Sequence, residues 1–226
     1  MGFLDGKHVL ITGLASDRSI AWGIAQAMRR QGAELAFTYQ NEKLKTRVEK
    51  FAAALESDLT LPCDVGSDTE IDDLFENLGR HWVGLDALVH SIAYAPREEL
   101  DGLYLDAVTR EGFNTAHEIS SYSFAALARS ALPMMQGRNA ALLTLTYIGS
   151  QRSMPAYNVM GLAKAMVETG IVPDFITVDG GEGGKSKTLA DFLQTRSVTT
   201  LVNELVEVIE DLSLALGKGL HADSSS

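Results

Sequence analysis

The sequence predicts an α/β fold, a doubly wound parallel sheet with helices on both faces. Three observations carry that expectation. Short apolar, β-branched runs alternate with segments of helical period along most of the chain. The strand-like runs are almost continuously apolar, as expected of strands buried on both faces. The first run is followed by a loop of small residues that opens directly into a helix, the arrangement of a Rossmann-like sheet.

Each element follows in order. HVLIT, residues 8–12, is the first strand, and GLASDRS is the loop after it. IAWGIAQAMRRQG places Ile20, Ile24, Ala27 and Met28 at helical spacing and closes on Gly32. ELAFTY is the second strand. NEKLKTRVEKFAAALE is a helix with Leu44, Val48, Phe51 and Leu55 on one face. LTLPCDV is the third strand, and the helix after it opens at Ser67 with Glu70 three residues on. LDALVHSIA is the fourth strand. A loop of about ten residues precedes a helical stretch from Thr109 to Met135. AALLTLTYIG is the fifth strand and YNVMGLAKAMVETG the next helix. Residues 1–168 are expected to form one Rossmann-like domain, with 169–226 an atypical strand, glycine loop and helices packing on it.

Bulk composition narrows the function. Apolar residues make up 46% and charged residues 22%, ordinary for a globular protein. The formal net charge is -11 with no basic run, which argues against nucleic-acid binding. No stretch has the roughly 18 apolar residues of a membrane span, and no secretory signal is visible. Cys63 is the one cysteine, so a reducing, cytoplasmic location is expected. No His, Cys, Asp or Glu cluster has metal-ligand spacing.

In such a sheet the ligand lies beyond the carboxyl ends of the strands. After the first strand come Gly13, then Ser19 and Ile20 at a helix start, where small residues and free N–H groups suit a pyrophosphate. The spacing is not G-x-G-x-x-G. Strand two ends at Gln40, which can bond an adenosine ribose but brings no charge for a 2′-phosphate, so NADH is the expected cofactor. Lys43 and Lys45 lie close by, either weakening that inference or forming a solvated helix face. Asp64 and Val65 offer a carboxylate and an apolar wall for adenine; Asp64 also reads as a helix cap. Ser91-Ile92-Ala93 gives small residues where a nicotinamide ribose would lie. His90 reads as a satisfied buried histidine.

Strand five ends at Tyr147. Tyr157 follows ten residues later and Lys164 seven after that, about two helical turns, predicting a shared helix face. A tyrosine beside a fixed cation can donate to a carbonyl and stabilise the oxyanion that forms. A Tyr and a Lys on an ordinary amphipathic helix is the plainer alternative.

The strings MGFLDGK, ASDRSIAWGIAQAM, GAELAFTYQNEKLK, VHSIAYAP, TREGF, ISSYSF, LLTLTYIGS and PAYNVMGLAKA run through residues 1 to about 165 almost without a gap. This stretch resembles the NADH-dependent enoyl-acyl-carrier-protein reductases of bacterial type II fatty-acid synthesis, a branch of the short-chain dehydrogenase/reductases. The tyrosine–six–lysine spacing with a second upstream tyrosine is that branch's variant. The resemblance implies that Gly13, Ser19, Ile20, Gln40, Asp64, Val65 and Ile92 contact NADH and that Ala95 lies against the acyl substrate. It implies further that Tyr157 donates to the thioester carbonyl, that Lys164 binds the nicotinamide ribose, and that Tyr147 shapes the acyl site. An acyl-carrier-protein-bound enoyl substrate and a homotetramer are implied as partners.

After about Ala165 the family pattern breaks. No counterpart of the family's sixth strand, proline turn or substrate lid is evident in the text. VDGG resembles the C-terminal strand and turn of short-chain reductases. GIVPDFITVDGGEGG looks longer as a match to the strand and glycine loop of the FMN domain of glutamate-synthase-like proteins. GGEGGKSK approaches a phosphate loop, but Asp179 stands where its first glycine belongs. A helix from Val198 to Leu216 is expected, amphipathic through Leu201, Leu205, Val208 and Ile209. The alternative to a reductase is a catalytically impaired nucleotide-binding protein, or a chimeric or designed chain.

Overall fold

The computed structural model describes residues 2–170 and 175–179, all within one compact unit, Met1–Lys185. The strands are β1 (His8–Thr12), β2 (Glu34–Tyr39), β3 (Thr60–Pro62), β4 (Ala87–His90), β5 (Ala141–Tyr147) and β6 (Phe175–Asp179). They form one parallel sheet in the order β3-β2-β1-β4-β5-β6. The order reverses at β1, where the chain runs outward first through β2 and later through β4. A crevice opens at that switch point. The glycine loop, the P-loop-like run and the Val198–Leu216 helix lie outside the described residues, as does most of 169–226.

The helices are α1 (Ile20–Arg30), α2 (Glu42–Ala54), α3 (Asp68–Leu78), α4 (Tyr104–Ala107), α5 (Arg110–His117), α6 (Ser123–Met135) and α7 (Asn158–Gly170). A π turn, Glu118–Tyr122, joins α5 to α6. Val9, Leu10 and Ile11 of β1 and Leu88 and Val89 of β4 are fully buried, as continuous apolar strands require. Leu10 and Leu88 pack with Ile71, Leu74, Leu78 and Leu127 into the main core cluster.

Strand lengths differ from the apolar runs. LTLPCDV yields only Thr60–Pro62, and LDALVHSIA only Ala87–His90. Leu59 and Cys63 flank β3 and still bond to β2, Phe37 N–H donating to the Leu59 carbonyl at 3.0 Å and Cys63 N–H to the Tyr39 carbonyl at 2.9 Å. Beyond α7, Phe175–Asp179 pairs with β5 from Leu143↔Phe175 to Tyr147↔Asp179. A strand therefore does stand beside β5 after the lysine-bearing helix, although the text showed no counterpart of the family's sixth strand.

The ends of the strands opposite the crevice are tied by one carboxylate. Asp86, 8% exposed, accepts from Lys7 Nζ at 3.1 Å, from His8 N–H at 3.0 Å and from Arg138 Nη2 at 2.8 Å. Burial pushes its carboxyl up, but bonds from Arg138, His8 and Lys7 outweigh that and hold it below the usual range. Asp86→Ala is expected to cost about 2–3 kcal/mol, discounted because both cations are partly exposed. A lowered carboxylate gives stability that is present above its unfolded pKa and lost as pH falls through the folded value. The melting-temperature gap between wild type and Asp86→Ala should therefore be widest at neutral pH and narrow in acid.

Candidate active site

A cavity of about 820 Å³ lies at the switch point, within the size range of small-molecule sites. Gly13, Gln40, Asp64, Val65, Ser91 and Ile92 all line it. They come from the loops after four strands, Gly13 after β1, Gln40 after β2, Asp64 and Val65 after β3, and Ser91 and Ile92 after β4, which is how a parallel sheet gathers distant sequence at one edge.

Gly13 sits at φ +81°, and a Cβ there would lie 1.9 Å from the Ser91 carbonyl oxygen. No side chain fits, so bare backbone forms that wall. Gln40 Nε2 donates to Asp64 Oδ2 at 3.1 Å, joining the ends of β2 and β3. Asp64 Oδ1 accepts from Gly66 N–H at 3.0 Å, and Asp64 N–H donates to Glu70 Oε2 at 2.7 Å. Asp64 is thus held in a turn and does not cap α3; Ser67 does, accepting from Glu70 N–H at 3.3 Å. Cys63 also lines the wall, and burial pushes its thiol up to about 12, so it is neutral there. Lys45 lies 3.6 Å from Glu42 and 5.7 Å over the Tyr39 ring. Neither Lys43 nor Lys45 lines the cavity.

Ser19 and Ile20 do not line this cavity. Ser19 caps α1, its Oγ accepting from Trp22 N–H at 3.3 Å and donating to the Ser16 carbonyl at 2.6 Å. Ala95 is buried with Ala116, Val159 and Met160 in a small cluster and lines neither this cavity nor the one at Tyr157.

A second cavity, of about 370 Å³, is lined by Tyr157, Tyr104, Gly149, Asn158, Gly161 and Leu162 among others. The Tyr157 ring packs edge-to-face on Tyr147, with centroids 4.8 Å apart at 68°. The Tyr147 hydroxyl is buried and finds no hydrogen-bond partner among the described residues. Tyr157 does not stand on the helix with Lys164. It lies in the turn before α7, between Ala156 at φ +56° and Asn158 at φ +32°, and its carbonyl accepts from Met160 N–H at 2.9 Å. The seven-residue spacing places Tyr157 just before α7 and Lys164 in the second turn of that helix.

Lys164 is 2% exposed, and its Nζ donates to the Ile92 carbonyl at 3.0 Å. Burial pushes its pKa down from 10.5 to about 8. Ile92 therefore links the crevice wall to the lysine. His90 is fully buried between Thr144 Oγ1 at 3.2 Å and Ser123 Oγ at 2.8 Å. Ser123 spends its own proton on the Ile119 carbonyl at 2.7 Å, so His90 Nε2 donates to it and Nδ1 accepts from Thr144. Burial, with the Lys164 charge beside it, holds His90 well below the usual imidazole range, hence neutral.

The family model described as enoyl-(acyl carrier protein) reductase matches residues 13–171. The chain belongs to the enoyl-acyl-carrier-protein reductase family. The curated enoyl-acyl-carrier-protein reductase (NADH) of Neisseria meningitidis serogroup B is 57% identical, over 84% of this chain and 76% of its own. That of Escherichia coli K12 is 55% identical, over 84% and 75%. The solved enoyl-acyl-carrier-protein reductase (NADH) of Aquifex aeolicus superposes at TM-score 0.73 and 52% identity, over 74% of this chain and 66% of that one. The Anaplasma phagocytophilum structure, in complex with NAD, superposes at 0.72 and 42%, over 76% and 65%. The chain thus spans about three quarters of the curated relatives and slightly under two thirds of the solved ones.

Sequence reading of this family member missed several site residues. Thr115 and Ile119 line the crevice from α5 and the π turn after it, where a helical pattern gives no hint of a π register. Glu99, only 2% exposed, sits in the charged run REEL and looks solvated. Among the described residues no His, Cys, Asp or Glu group could hold a metal, and no helix is long and apolar enough to cross a membrane.

Proposed function

We propose that this chain is an NADH-dependent enoyl-acyl-carrier-protein reductase, converting a trans-2-enoyl thioester to the saturated acyl thioester in fatty-acid biosynthesis. One observation carries the reading. Ile92 lines the nucleotide-sized crevice and its carbonyl holds Lys164, while Tyr157, seven residues before that lysine, lines the second cavity. The crevice suits NADH because bare backbone at Gly13 admits a pyrophosphate and because Gln40 is uncharged and bonded to Asp64. A 2′-phosphate there would meet a carboxylate.

Bound in the crevice, the nicotinamide supplies a hydride for the β-carbon of the enoyl thioester. Charge then grows on the thioester oxygen, the Tyr157 hydroxyl donates to it, and the α-carbon takes a proton from solvent to complete the saturated thioester. The Lys164 ammonium has three donors; one is on Ile92, leaving two for the ribose hydroxyls. Tyr147 holds the Tyr157 ring from the side. Ser19 and Ile20 take their part through the α1 N-terminus, and Ala95 backs the acyl site from below its surface.

The test is NADH oxidation with crotonyl thioester. Wild type should turn over, and Tyr157→Phe should lose at least about 100-fold. Equal rates in the two would reject the reading. The pH dependence has a definite sign. Because the buried ammonium titrates near 8, kcat/KM for NADH should fall as pH rises through about 8, and Lys164→Met should lack that limb.

Assembly as a homotetramer and a cytoplasmic location belong to the same reading. Leu132 of α6 and Met166 of α7 are about half exposed, apolar side chains that a second copy would cover; sedimentation would check it. A second reading has its own support, since the family-model match stops at residue 171. On it the chain binds the nucleotide without turnover, and calorimetry would show NADH heat where no oxidation occurs.

A further inference from the structure

We infer that Glu99 and Asn158 form a clamp that sets the position of Tyr157. The inference rests on the reductase reading of that tyrosine. Glu99 is 2% exposed between exposed Arg97 and Glu98 and half-buried Leu100. Its carboxylate accepts from Thr109 N–H at 3.0 and 3.2 Å and also from the Thr109 hydroxyl. Thr109 is the cap of α5, its Oγ1 accepting from Gly112 N–H at 3.0 Å. A carboxyl group at a helix N-terminus is held there by the free backbone N–H and the capping hydroxyl. Gly112 makes room for it, since a Cβ there would lie 1.9 Å from Glu99 Oε1.

The backbone of the same residue carries the link onward. The Glu99 carbonyl accepts from Asn158 Nδ2 at 3.0 Å, with the Gly102 carbonyl 3.5 Å from the same nitrogen. Asn158 and Ala156 flank Tyr157 with positive φ, a conformation that persists only where surrounding contacts hold it. The Asn158 amide is such a contact, one residue from the tyrosine. Fixed α5 thus anchors Glu99, Glu99 anchors Asn158, and Asn158 fixes the turn that aims the Tyr157 ring. None of Glu99, Thr109, Gly112 and Asn158 lines the nucleotide crevice. The clamp therefore acts on turnover and leaves NADH binding alone.

Both residues are positioning residues, and the test must separate aim from stability. Asn158→Gly keeps a residue at ease with positive φ but deletes the amide. It should lower kcat about ten- to hundredfold, with KM for NADH within about twofold of wild type. Glu99→Ala should do the same, and Glu99→Gln, which keeps an oxygen for Thr109, should lose markedly less. Amide exchange at Met160 and Gly161, whose N–H groups face the Tyr157 carbonyl, should quicken in Asn158→Gly and stay unchanged in Tyr157→Phe. The clamp is rejected if Asn158→Gly and Glu99→Ala keep kcat within about twofold at a temperature where both are folded. It is rejected equally if kcat and NADH KM move together. If wild type and Tyr157→Phe turn over alike, the reductase reading fails instead. The exchange data then decide the clamp: unchanged protection in Asn158→Gly rejects it.

Discussion

Gly149→Ala is expected to lower kcat by about 100-fold or more while leaving NADH binding intact. A Cβ at Gly149 would lie 2.3 and 2.7 Å from Cδ1 and Cε1 of Tyr157 and 3.0 Å from Cδ1 of Tyr147. No real methyl tolerates those distances, so one partner must move. The backbone at 149 already approaches α7 closely, its carbonyl 2.7 Å from where a Cβ on Gly161 would stand. The Tyr157 ring is the part that can rotate, and rotation carries its hydroxyl away from the reacting oxygen. A displacement of about 1 Å is enough for a loss of that size. Gly149 lines the second cavity and not the nucleotide crevice, so calorimetric NADH affinity should be unchanged. Turnover within about threefold of wild type would show that the ring is not the reacting group's donor.

Gly13→Ala is expected to damage both folding and nucleotide binding. The residue sits at φ +81°, and the added methyl would lie 1.9 Å from the Ser91 carbonyl oxygen and 2.6 Å from its carbon. Those are backbone atoms just after β4, which is paired to β1 and β5, so they cannot swing aside as a side chain would. Left-handed strain and the clash together should cost about 3 kcal/mol or more. At this chain length that is a melting-temperature drop of roughly 6–12 °C. NADH affinity should fall at least about 100-fold, because the wall it needs has moved. Gly137 supplies the control. It has φ +74° with nothing within 4 Å of a Cβ, so Gly137→Ala carries the strain without the clash and should cost only about 1 kcal/mol. Equal losses in the two variants would mean that close approach at Gly13 is unimportant.

Much of the crevice was legible because of a rule of parallel sheets. Ligands meet the loops after the strands, so Gly13, Gln40, Asp64, Val65, Ser91 and Ile92 could be picked by position alone, before any contact was known. His90 was legible too, as one polar residue in an apolar strand. What failed depended on dihedrals or on distant partners. Helical spacing put Tyr157 and Lys164 on one helix, but periodicity carries no information on φ, and positive values at 156 and 158 place the tyrosine in the preceding turn. Glu99 could not be found at all. Its burial depends on Thr109 ten residues on and on a missing Cβ at Gly112. The strand at 175–179 was expected from its apolar residues, but its seat beside β5 is a long-range pairing that local pattern does not encode.

The most direct test follows the hydride itself. Wild-type protein would be incubated with crotonyl thioester and NADH carrying deuterium at both C4 positions, and the acyl product analysed by mass spectrometry and NMR. The account predicts saturated butyryl thioester with one deuterium, at the β-carbon, and essentially none from Tyr157→Phe under the same conditions. NADH binding with no saturated product, or label absent from the β-carbon, would contradict it.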